Sequence, residues 1–148
     1  MFIFFNMIYN IAMKKLFILL LIFNIAYSKT YRGEITDFEL VRVRDGDTFV
    51  INIKNVPDVF GKEIAIRIRG IDTPEKSDER ENIKKIALEA KAELERLLSS
   101  SKKIVLYDLE RDKYFRLLAG VKADNIDVGE YLIKKGLAKK YNGGKKVW

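Results

Sequence analysis

The chain of 148 residues makes one domain at most, and a hydrophobic share of 48% beside 33% charged residues describes a globular chain rather than a disordered one. Its formal net charge of +7 favours polyanionic partners, either nucleic acid or an anionic membrane surface. Cysteine and histidine are both absent, which excludes disulfides, thiolate nucleophiles, Cys-ligated zinc and imidazole acid–base chemistry. Proton transfer falls to carboxylates, Lys, Tyr or Arg, and any metal must be held by oxygens, as Ca²⁺ or Mg²⁺ are.

The first 28 residues read as an address. Met13-Lys14-Lys15 opens a short basic region, Leu16 to Phe23 is an apolar run, and Ala26-Tyr27-Ser28 offers small residues for cleavage after Ser28. The run is too short for a membrane span of about 20 residues. We expect a signal peptide at 1–28, with Met13 as the true start, and a mature domain at 29–148 that is secreted or periplasmic. The alternative is an uncleaved anchor reaching from Met1 to Tyr27. Beyond the block, 26 Lys and Arg stand against 21 Asp and Glu, a net of +5.

The mature part alternates between strand and turn signals. Leu40-Val41-Arg42-Val43-Arg44, within residues 34–44, has a period of two and predicts a strand. Asp45-Gly46-Asp47 predicts a turn, and Thr48 to Ile53 a β-branched strand. A loop holding Pro57 and Gly61 leads into Glu63 to Arg69, where isoleucines alternate with Ala65, Arg67 and Arg69. Asp78 to Leu98 predicts a helix, with Asp78 and Glu81 as a capping box and an apolar stripe through Ile83, Ile86, Ala87, Ala90, Leu94, Leu97 and Leu98. Ile104 to Tyr107 and Phe115 to Lys122 predict two further strands. Asp127 to Lys135 predicts a short helix, capped by Asp127 and Glu130 and stopped by Gly136. The order β-β-β-α-β-β-α suits a five-stranded β-barrel with helices, an α+β OB-fold; an open α+β sheet is the competing arrangement.

Three clusters carry the chemistry: Asp45-Gly46-Asp47-Thr48, then Arg67 with Asp72-Thr73-Pro74-Glu75, then Asp112-Lys113-Tyr114-Phe115-Arg116. Each alone has an ordinary structural reading as a turn, a loop into a helix or a solvated strand face. In this order and spacing, together with Gly136-Leu137-Ala138-Lys139, they resemble the staphylococcal nuclease (thermonuclease) family over Glu34 to Tyr141. Phe115 stands where that family usually has glycine.

The resemblance implies an OB barrel bearing one Ca²⁺. Asp47 and Asp72 are then carboxylate ligands, Thr73 offers its backbone carbonyl, and Asp45 lies in the outer shell. Glu75 is implied as general base on the attacking water, Arg67 and Arg116 as grips on the scissile phosphate, and Lys113 and Tyr114 as contacts to a neighbouring phosphate. Tyr141 is a candidate for stacking on a base. Arg67 is chosen over Arg69 by the resemblance alone, since both lie on one strand face. The implied activity is calcium-dependent hydrolysis of DNA and RNA to 3′-phosphate products; no protein partner is implied, and a monomer suits a small exported enzyme. The residue types suit it: two guanidiniums can donate bidentate bonds as charge builds on equatorial phosphate oxygens. The alternative function is a non-catalytic OB module that binds single-stranded nucleic acid through basic and aromatic residues.

Overall fold

A computed structural model describes residues 33–112, 114–144 and 148. The expected signal segment and Lys113 therefore lie outside the described residues. No helix among the described residues is long and apolar enough to cross a membrane.

The elements run β1 Phe38–Asp45, β2 Thr48–Ile53, α1 Asp58–Gly61, β3 Ile64–Ile68, β4 Ile71–Asp72, α2 Glu81–Ser100, β5 Ile104–Arg111, β6 Leu117–Ala123, β7 Ile126–Asp127, α3 Val128–Lys134 and β8 Lys139–Lys140. The five long strands form one sheet in the order β1-β2-β3-β6-β5, with β7 paired to β6. Helix α2 sits in the crossover that lets β3 and β6 run parallel; the pairs β1–β2, β2–β3 and β5–β6 are antiparallel. The segment just before β1 meets β5 through an isolated antiparallel bridge of Ile35 with Leu106, its two N–H···O bonds both 3.0 Å. This is the mixed α+β, OB-type arrangement read from the alternating strand pattern. The short pairing of β4 with β8 and the single turn α1 carry no period of their own and were not legible in the sequence.

The inner face of the sheet and the stripe of α2 bury one cluster. Phe49, Ile51, Ile66, Ile68, Leu94, Leu106, Val121, Val128 and Leu132 are its centre. Each such side chain contributes roughly 1.5–3 kcal/mol by leaving water. Along α2, Ala87, Ala90, Leu94, Leu97 and Leu98 are buried, while Ile83 and Ile86 are half-buried. Small residues on that stripe let the β1–β2 turn approach closely. A Cβ on Gly46 would stand 2.5 Å from Ala90 Cβ and 3.0 Å from Thr73 Cγ2.

Two local expectations need correction. The capping box at Asp78 and Glu81 does not form. Arg80 is the N-cap of α2 without a side-chain cap, and the Asp78 carboxylate instead accepts from Arg80 N, Nε and Nη2 at 2.7–2.9 Å. A short-range Asp–Arg pair with a bidentate guanidinium outcompetes the reach to the first turn. Phe115 does not begin β6. It has φ 62 in the β5–β6 turn, and the strand starts at Leu117. The second capping box does form: Asp127 Oδ1 accepts from Glu130 N at 2.9 Å. Gly136 then ends α3 at φ 72, with Leu137 N donating to Leu132 O at 2.9 Å.

Candidate active site

The site is assembled at one end of β1–β2–β3. Antiparallel register places Thr48 opposite Arg67, which brings the turn residue Asp47 beside the Arg67 side chain. Arg67 Nη1 lies 2.6 Å from Asp47 Oδ2, and Nη2 lies 3.0 Å from Asp72 Oδ1. All three are buried, with relative exposures of 6% for Asp47, 8% for Arg67 and 2% for Asp72. Buried charges persist only when paired and hydrogen-bonded, and here one guanidinium serves two carboxylates.

Further bonds fix Asp47. Its Oδ2 accepts from Thr73 N and Thr73 Oγ1, both at 3.0 Å, and its Oδ1 accepts from Thr48 Oγ1 at 2.9 Å. The segment from β4 onward is thereby stitched to the β1–β2 turn across 26 residues of sequence. Asp45, at the end of β1, pairs with Lys76 Nζ at 3.0 Å, and the same ammonium donates to Arg44 O at 2.7 Å. Lys76 has no sequence signal beyond its place after Glu75, so this tether is not visible in the motifs.

The β5–β6 turn supplies the facing wall. Asp112 Oδ2 accepts from Arg116 Nε at 2.8 Å, and its Oδ1 accepts from the backbone N–H groups of Tyr114 and Arg116 at 2.8 and 3.0 Å. Burial pushes the Asp112 carboxyl up, but these bonds and the Arg116 charge outweigh it and hold the group below its ordinary value. The Arg116 guanidinium lies 5.4 Å from the centroid of the Tyr114 ring, within cation–π range.

These parts line one open cleft of about 730 Å³. Arg44, Asp45, Asp47, Thr48, Arg67, Thr73, Glu75, Tyr114, Arg116, Tyr141 and Gly144 contribute to its walls. An adjoining hollow of about 460 Å³ shares Arg67, Tyr114, Arg116 and Tyr141. Tyr141 is set there by its N–H on Gly70 O and its hydroxyl on Gly144 O, each 2.9 Å. Glu75 is exposed in the cleft. Asp72 lies behind it, against Arg67. Trp148 docks at the back as well: its Nε1–H donates to Asp72 O at 3.2 Å, and the Lys139 ammonium sits 4.2 Å from its ring centroid. Arg69 turns away, paired with Glu110 Oε2 at 3.1 Å and donating to Asp108 O at 2.7 Å. Of the residues singled out from the sequence, Asp45, Asp47, Arg67, Thr73, Glu75, Tyr114, Arg116 and Tyr141 line the cleft, Asp72 lies buried against Arg67 and not on the cleft wall, and Lys113 lies outside the described residues.

The donor chemistry fits a hard cation. Only oxygens are offered: two buried carboxylates that share one guanidinium, with the Thr73 backbone between them and open water in the cleft. Among the described residues no three acidic side chains form a cage by themselves, so water and backbone oxygens must complete any coordination shell.

Fold and cleft define an OB-type domain whose surface hollow is lined by both carboxylates and arginines. The chain belongs to the family of staphylococcal nuclease homologues, whose model matches residues 65–147. Among its relatives are a thermonuclease of Staphylococcus hyicus, 34% identical over 103 residues, covering 69% of this chain and 57% of the relative. A probable endonuclease of Schizosaccharomyces pombe is 33% identical over 143 residues, covering 81% and 60%. Endonuclease YncB of Bacillus subtilis is 34% identical over 108 residues, covering 72% and 48%. The chain thus spans about half to three fifths of the length of these relatives.

Proposed function

We propose that this chain is a calcium-dependent nuclease that hydrolyses phosphodiester bonds in DNA and RNA and leaves 3′-phosphate ends. The observation that carries the reading is the convergence of Asp47, Arg67, Thr73, Glu75 and Arg116 on one water-accessible cleft from four separate segments. An exposed carboxylate and two guanidiniums lining the same open cleft are the residue types that phosphodiester hydrolysis needs.

Asp47, Asp72 and the Thr73 carbonyl are the residues that would hold Ca²⁺, which when bound would screen the phosphate charge and polarise its oxygens. The Glu75 carboxylate takes the proton of the attacking water. Arg67 spends only part of its five-donor fork on Asp47 and Asp72, and Arg116 is held by Asp112 along one edge. The remaining N–H groups of both face the equatorial phosphate oxygens as negative charge builds there. Tyr114 and Tyr141 flank the nucleotide, and Lys113 is assigned to a neighbouring phosphate from its motif. Water attacks phosphorus, the bond to the 5′ oxygen breaks, that leaving oxygen takes a proton from solvent to become a hydroxyl, and the proton that Glu75 received returns to solvent. Export through the 1–28 segment belongs to the same proposal, because a site with few protein ligands fills where calcium is abundant.

Incubation of the chain with plasmid DNA and with RNA, in calcium and in a chelator, tests the reading. Cleavage that needs calcium and is lost in Glu75→Gln is expected. Retention of nucleic acid without cleavage, in calcium, would replace the enzyme with a binding module.

A further inference from the structure

Phe115 is the most solvent-exposed of the large hydrophobic side chains described, at 82%, and it occupies left-handed backbone at φ 62. A bulky residue there is an outlier that glycine would relieve. The ring stays largely in solvent, so burial offsets little of that strain. Yet it is held firmly in place: Phe115 N donates to Asp112 O at 3.1 Å, and its carbonyl accepts from Arg111 Nη1 at 2.9 Å. Asp112 N donates across the same turn to Arg116 O at 3.0 Å. Strain of this kind, fixed by its surroundings beside a cleft, points to use.

Its neighbours give the use. Tyr114 and Arg116, on either side of Phe115, both line the cleft and its adjoining hollow. One face of Tyr114 carries the Arg116 guanidinium. Phe115, between two residues that line the cleft, therefore presents an aromatic side chain to solvent beside it. We propose that Phe115 is a stacking platform for an unpaired base of the nucleic-acid strand, next to the nucleotide whose phosphate lies between Arg67 and Arg116. Every base has a π-face, so such a platform tolerates any sequence. The proposal rests on the nuclease reading for its substrate and adds a binding residue outside the reacting groups.

The test uses the full chain and a single-stranded oligodeoxynucleotide bearing 2-aminopurine, held in chelator so that nothing is cut. Wild type is expected to quench the fluorophore. Phe115→Gly should bind about tenfold more weakly, on the scale of one base–aromatic stack, and lose the quenching. Its thermal stability should match or exceed wild type, which removes unfolding as the cause. Phe115→Leu, apolar but without a π-face, should bind like the glycine variant, and Phe115→Trp like wild type. In calcium, the glycine variant should raise KM with kcat unchanged. Glycine or leucine variants that bind and quench as wild type overturn the proposal, as does a wild type that binds no strand. Phe115-dependent quenching in a chain that never cleaves would leave the platform standing and sink the nuclease reading alone. Normal cleavage with indifferent Phe115 variants would do the reverse.

Discussion

Arg67 and Arg69 differ by one step of the strand period, and only tertiary contacts separate them. Arg67 is enclosed between two buried carboxylates, whereas Arg69 reaches Glu110 and a carbonyl at the β5 bulge. The proposed chemistry depends on the planar fork of Arg67 and Arg116 more than on their charge. Lysine keeps the charge as a point and loses the bidentate geometry. Arg67→Lys and Arg116→Lys are each expected to lower the cleavage rate at least ~10²-fold, the scale of one lost transition-state donor. Single-turnover rates at saturating calcium check this, and near-normal turnover in either variant counts against the assignment. Arg67→Lys should also cost stability, because Asp47 and Asp72 stay buried with a poorer partner.

At the scale of elements, the Asp45-Gly46-Asp47 turn is shaped by helix α2. Gly46 is required for close approach, since an added methyl would overlap Ala90 and crowd Thr73. Thr73 in turn holds Asp47 through its N–H and hydroxyl. Gly46→Ala is therefore expected to lose about 1–3 kcal/mol of stability, as overpacked sites do, and to weaken the calcium binding proposed above by displacing Asp47. Denaturant melts and calcium titration by calorimetry measure the two effects. A variant with unchanged calcium affinity would show that the turn and the helix are packed independently of the site. The sequence marks this turn by its Asp-Gly-Asp signature, but the contact with Ala90 spans 44 positions and has no local trace.

For the whole molecule, helices α2 and α3 are locked by Glu93. It accepts from Arg96 Nη2 and from Lys135 Nζ at 2.8 Å each, and also from the Tyr131 hydroxyl. These bonds, Arg96 first, hold the Glu93 carboxyl far below its ordinary value of 4.5. A lowered folded value means the unfolded chain binds the proton more readily. The stabilisation is thus complete above about pH 4.5 and is lost as the pH falls below it. Glu93→Gln should cost about 2 kcal/mol at neutral pH, the scale of hydrogen bonds to a charged group. Its melting temperature should converge on wild type as the pH falls below 4.5. A gap that persists unchanged in acid would mean that the carboxylate charge is not what joins the helices.

The sequence by itself determined the strand and helix order, because alternation of two and periods near 3.6 are local properties written in which residues are apolar. Through the order and spacing of three clusters, and the family resemblance they carry, it also marked Asp47, Asp72, Glu75, Arg67, Arg116 and Tyr141 as candidates. It did not reveal the β4–β8 pair, the failed Asp78 cap, the Lys76 tether on Asp45 or the docking of Trp148 on Asp72. Nor did it show that Phe115 stands strained and exposed beside the cleft. Those features depend on which side chains meet across tens of residues, and that is settled when the sheet register and the packing of α2 fix distances that no local pattern encodes.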